Sequence, residues 1–281
     1  MGLRINTNVA SLNAQRNLMG TKFALDKSLE RLSSGYRINR AGDDAAGLAI
    51  SENLRAQVRG LKQASRNAQD GISLVQVAEG GLNEVSSILI RLRELGVQAA
   101  SDTIGPVERQ FLNVEYDQLT SEIDRIADAT EFNGTTLLNG TGVLLDFQVG
   151  VRNDPNVDRL TFDASKADAN TAALGINLTS VADKASAQNS LSAIDSAIVS
   201  VSAMRADFGA IQNRLMSTVN NIAISVENLS AANSRVRDVD VAEETAELTR
   251  NNVLLQAGTS VLAQANQTSA AAISLLKQTF A

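Results

Sequence analysis

The chain has 281 residues, 44% of them hydrophobic, and a net charge of -6, enough for a sizeable core in one or two domains. It contains no Cys, His or Trp, which excludes Cys/His zinc sites, disulfides, Cys nucleophiles and every His-dependent triad. Aromatic residues are only 3%, so Ala, Leu, Ile and Val carry the apolar content, and these suit close helix–helix packing. The charge is uneven: residues 1–66 carry +6 and the remainder -12. A basic arm on an acidic body fits nucleic-acid binding or complementarity between copies of one chain. Its basic residues are spread among apolar helical positions, which favours the second and predicts no nucleic-acid partner.

Residues 1–6 have no apolar run, so no secretory leader is expected there, and no segment reaches the ~18 apolar residues of a membrane helix. Amphipathic spacing follows at once: Ile5, Val9, Leu12 and Met19, then Leu18, Leu25, Leu29 and Leu32. The stripe is narrow and interrupted by Asn, Gln, Ser and Thr, so the helix is marginal alone and calls for a partner. Asp43-Asp44 reads as an acid pair or as a helix N-cap, and the following Ala-Ala-Gly-Leu favours the cap.

A second helix is predicted from Leu61, Ala68, Ile72, Val75, Leu82, Val85, Leu89 and Leu92. Gly105-Pro106 breaks it. A shorter helix carries Leu112, Tyr116, Leu119, Ile123 and Ile126. Residues 132–180 change character, with Asn133-Gly134 and Asn139-Gly140 as hairpin turns and strands at 143–151 and 159–162. The clearest seam runs through Leu191, Ile194, Ile198, Val201, Phe208, Ile211, Leu215, Val219, Ile222, Val226, Leu229 and Val236, predicting one helix over 183–235, roughly 80 Å long at 1.5 Å per residue. An acidic run follows: Asp238, Asp240, Glu243 and Glu244. The chain closes on Leu255, Leu262, Ile273, Leu276 and Phe280, again one narrow apolar face. The fold class is mainly α, a long helical bundle or coiled coil with a small central β-hairpin region and paired terminal helices.

The first sixteen residues, Met1-Gly-Leu-Arg-Ile-Asn-Thr-Asn-Val-Ala-Ser-Leu-Asn-Ala-Gln-Arg16, resemble the start of bacterial flagellins. The stretch from Leu29-Glu-Arg-Leu-Ser-Ser-Gly35 through Asp43-Asp-Ala-Ala-Gly-Leu-Ala-Ile50 is similar to the most distinctive part of that family. The run from Ser234-Arg-Val-Arg-Asp238 through Val253-Leu-Leu-Gln-Ala257 to Ile273-Ser-Leu-Leu276 also matches. The resemblance implies a minimal flagellin, with residues 1–41 and 240–281 as a terminal coiled-coil domain at the filament core. Residues 42–239 would be a helical bundle domain with its β region at about 132–180.

It also implies a non-enzymatic, secreted subunit that leaves by the flagellar type III route and polymerises into the extracellular filament, with no cofactor or metal. A hook–filament junction protein of the same superfamily is the alternative. Implied partners are other copies of the chain, hook-associated and cap proteins, and an export chaperone at Val253–Phe280. Polymerisation residues are expected at Leu12, Leu18, Leu25, Leu29, Leu32, Leu255, Leu262, Ile273, Leu276 and Phe280. Connector contacts are expected at Arg37, Arg40, Asp43, Asp44, Asp238 and Asp240, with Arg37 and Arg40 facing the acidic run. Arg91, Leu95 and Glu115 resemble the patch that a flagellin-sensing Toll-like receptor reads, although Ile90 stands where recognised flagellins often have Gln.

Overall fold

The computed structural model describes residues 7–279, with side chains described as far as residue 267. The order is α1 (Val9–Ser34), α2 (Ala45–Ala99), α3 (Pro106–Ala129), β1 (Glu131–Phe132), β2 (Thr135–Thr136), β3 (Leu144–Gln148), β4 (Arg159–Asp163), α4 (Lys184–Arg237) and α5 (Val241–Thr279). Contacts divide the chain into two compact units, Met1–Ala56 with Leu229–Ala281, and Gln57–Asn228. These boundaries fall within α2 and α4.

The unit Gln57–Asn228 holds the apolar core. On α4 the buried Ile194, Val201, Phe208, Leu215 and Ile222 recur every seventh residue, the period that keeps one face turned to a neighbouring helix. On α2, Ala68, Val75, Leu82 and Leu89 do the same, accompanied by Ala78, Val85 and Leu92. α3 adds Tyr116, Ile123 and Ala127. Each large side chain buried this way contributes about 1.5–3 kcal/mol. Pro106 starts α3 at its first turn, with Gly105 as the extended cap, so the missing amide costs no helical hydrogen bond.

Two antiparallel pairs form the β region. Asn133 (φ 51°) and Gly134 (φ 77°) make the tight turn between β1 and β2, both in the left-handed region that a type I′ hairpin requires. β3 pairs with β4 from Leu144↔Asp163 to Gln148↔Arg159, shorter than the predicted 143–151 on the first strand. A 3-10 turn (Ala164–Lys166) follows. Phe162 of β4 lies against Phe208 of α4 with ring centroids 5.1 Å apart, tying the sheet to the helical core.

The other unit comprises α1, α5, the residues joining them to their neighbours, and the adjoining ends of α2 and α4. Among the described residues no helix is long and apolar enough to cross a membrane.

Candidate assembly surface

α1 lies against α5, from Arg31 opposite Glu244 to Asn8 opposite Ala265. Asn8 caps α1 by accepting the Ser11 amide at 3.1 Å, and its Nδ2 donates to the Ala265 carbonyl at 2.8 Å. Ser11 Oγ donates to Asn266 Oδ1 at 2.9 Å. Toward the other end of the pair, Arg31 Nη1 meets Glu244 Oε2 at 3.3 Å. A Cβ at Gly258 would stand 3.2 Å from Leu18 Cδ1, so this glycine lets the helices approach closely.

Among the described residues, what the pair fully buries is polar: Ser11, Ser28, Glu244 and Asn251. Its leucines are only partly covered. Leu18, Leu25, Leu32, Leu255 and Leu262 are half-buried, while Leu12 and Leu29 are exposed. Met19 is 75% and Phe23 72% exposed. Two helices alone cannot enclose the apolar surface that this sequence carries. The side chains of Ile273 and Leu276 lie outside the described residues, as do Ile5 and Phe280 altogether.

The chain leaves α1 through Gly35, whose left-handed φ of 74° closes the helix with its N–H on the Arg31 carbonyl at 2.8 Å. Two strands of connector then run side by side. The Val239 amide donates to the Gly35 carbonyl at 3.0 Å and the Arg37 amide to the Arg237 carbonyl at 2.7 Å, with Tyr36 opposite Asp238. The Arg237 guanidinium sits 4.7 Å over the Tyr36 ring and bonds Glu52 at 2.6 Å.

Asp43 gathers the turn before α2. Its Oδ1 takes the Lys27 ammonium at 2.8 Å, and its Oδ2 accepts the Asn39 and Arg40 amides at 3.3 and 3.1 Å. The Lys27 bond, with these two amides, lowers its pKa from 3.8 to about 2. Asp44 accepts the Gly47 amide at 2.9 Å in the capping geometry expected for a helix start. Asp240 caps α5 through the amides of Ala242 and Glu243.

The expected opposition of Arg37 and Arg40 to the acidic run takes another form. Arg37 Nη2 donates to the Val236 carbonyl at 2.8 Å, and Arg40 bonds Glu30 at 3.0 Å. Asp240 is occupied by the helix amides, so Glu244 takes its cation from Arg31, inside the helix pair. Leu95 also departs from its expected place. It is 1% exposed, in the core with Leu89, Leu92 and Ala99, and cannot be touched from outside. The exposed part of that patch is Arg91, bonded to Glu115 at 2.8 Å and Glu94 at 3.0 Å. The Glu115 bond, ahead of Glu94, raises the Arg91 pKa.

Sequence reasoning missed Lys27, Arg31, Tyr36, Arg237 and Asn251. Arg31 was legible in part: it stands one turn before the end of a helix whose partner starts with acids. Asn251 and Arg237 gave no signal, because their roles depend on which chain segment lies opposite.

The helical ends, the β region between them and the connector match a known plan. A family model described as the bacterial flagellin N-terminal helical region matches residues 5–142, and one described as the C-terminal helical region matches residues 191–276. The chain is 48% identical over 273 residues to a flagellin of Halalkalibacterium halodurans, covering 97% of this chain and 99% of that one. It is 46% identical over 304 residues to a flagellin of Bacillus subtilis, covering 98% and 100%. It is 44% identical over 289 residues to the flagellar filament 33 kDa core protein of Treponema phagedenis, covering 97% and 99%. The crystal structure of Bacillus cereus flagellin superposes with a TM-score of 0.50 at 35% identity, covering 60% of this chain and 94% of that one. With full-length relatives at this identity and both terminal regions matched, the chain belongs to the bacterial flagellin family.

Proposed function

We propose that the chain is the repeating structural subunit of an extracellular flagellar filament, not an enzyme, and that its two ends are the polymerising element. The observation that carries this reading is the inverted burial of the α1–α5 pair, with polar groups inside and Leu12, Met19, Leu29 and Phe23 outside. Covering those side chains with neighbouring copies contributes about 25 cal/mol per Å² removed from water. Contacts that do not close on themselves then propagate into a helical polymer. Hook-associated and cap proteins would meet the same ends where the polymer begins and stops.

The export chaperone is assigned to Val253–Phe280, where Val253, Leu254 and Val261 are exposed, a face open to a helix-binding partner. Arg91 and Glu115, both exposed, are the part of the receptor-like patch that remains available to an immune receptor.

The test is removal of residues 1–35 or of residues 250–281, followed by electron microscopy of the purified chain under polymerising conditions. Neither truncation should form filaments; filaments from either one refute the reading. Long filaments from the intact chain alone exclude a junction protein, which is needed in only a few copies.

A further inference from the structure

A groove of about 330 Å³ opens in the terminal unit between α1, the connector and the start of α5, lined among others by Lys27, Arg31, Asp240, Glu243, Glu247 and Asn251. Most of its charges are already matched. Lys27 is held by Asp43, Arg31 by Glu244, and Glu247 by Arg250 at 2.6 Å. Asp240 accepts backbone amides, and Arg37 turns to a carbonyl. Glu243, exposed at the mouth, has no side-chain partner among the described residues.

Deeper in, Asn251 is only 4% exposed, yet its Nδ2 is without an acceptor, as is Nε of Arg31. Buried donors left in this state cost about 1–3 kcal/mol each. Both donors are sealed from outside, so what the groove offers a guest is the exposed Glu243 carboxylate at its mouth, which asks for a cation.

The outer face of α1 carries such a guest. Arg16 is exposed and, among the described residues, unpaired. Leu12, Met19 and Phe23, at four residues before and at three and seven after it, are all exposed and share its side of the helix. Arg16 cannot reach its own groove, because Arg31 lies about 22 Å further along α1 at 1.5 Å per residue.

We infer that the groove receives Arg16 of a second copy of this chain, its guanidinium on Glu243. This deepens the filament reading and rests on it. The two halves of the contact are different surfaces, so it is heterologous and repeats without closing, and it sets neighbouring α1–α5 pairs about 22 Å out of step along the helix axis.

The experiment uses the full chain, seeded with sheared filaments, with unpolymerised protein measured after sedimentation. Arg16→Glu and Glu243→Arg should each raise the unpolymerised concentration about tenfold, since each sets like charges together. The double variant, which restores an opposite pair in reversed sense, should return to within about threefold of the parent. Arg16→Lys, which keeps the charge, should stay within about threefold as well. Circular dichroism of each variant should match the parent. Singles that polymerise like the parent, or a double no better than the worse single, overturn the contact while leaving the filament reading intact. A parent chain that never sediments overturns both.

Discussion

Replacing Arg31 by Met leaves the Glu244 carboxylate inside the terminal helix pair without the cation it faces. Their side chains keep 27% and 10% of their exposure, and the bond is a single one of 3.3 Å. Breaking a fully buried pair costs about 3–5 kcal/mol, whereas exposed pairs are worth about 0–1. Partial access of Arg31 to water sets the expectation between these, at about 1.5–2 kcal/mol, or a 10- to 30-fold rise in the opening constant of the pair.

Amide hydrogen exchange along α1 reads that opening, because local openings have their own free energies below that of global unfolding. Removing both groups, in Arg31→Met with Glu244→Leu, should recover most of the loss, because no lone charge is left buried. Unchanged exchange in Arg31→Met, or a double variant as open as the single, would refute the reasoning.

Three other outcomes follow from the geometry. The carboxyl of Asp43 titrates lower in the folded chain than the ordinary 3.8, at about 2, so its contribution is present above pH 4 and is lost as pH falls from 4 through 2. With Lys27 partly exposed that contribution is about 1 kcal/mol, and a carboxyl-carbon titration by NMR with a midpoint near 4 would contradict it. Phe208→Ala empties the centre of the α4 seam beside Phe162 and should cost about 3–5 kcal/mol in denaturant unfolding; a loss under 1 would show that the seam is not closely packed. Gly35→Ala meets no atom within 4 Å, so only its φ of 74° penalises it, by about 1 kcal/mol; exchange at the C-terminal turn of α1 measures this, and no change there would count against it.

The helices of the main core were readable because their signal is periodic and local. Every buried large apolar side chain of α4 lay on the expected seam, and Asn133-Gly134 named its own turn. The terminal pair was less legible. Its leucines read as an interior stripe, but the interior is made of Ser11, Ser28, Glu244 and Asn251, since narrow stripes on two helices leave half of each leucine outside. The connector was read through charge alone, which paired Arg37 and Arg40 with the acids across from them. Backbone amides at the start of α5 and carbonyls at the end of α4 compete for the same groups, and nothing in composition ranks that competition. Leu95 was carried to the surface by resemblance, although its spacing from Leu82, Leu89 and Leu92 already placed it inward.

The polar interior of the terminal pair also governs how mistakes are corrected. A buried serine or asparagine exchanges its partner for water at a net cost of about 1 kcal/mol, whereas withdrawing a buried leucine costs about 1.5–3 kcal/mol. A pair closed on such bonds, as Ser11 makes to Asn266, gives up little on opening, so a copy docked out of register should be released before the next covers it. Substituting leucine at Ser28 and Asn251 would make single copies firmer and their errors permanent, visible as more filament defects at faster growth. Loose closure in one molecule thus becomes fidelity in the array.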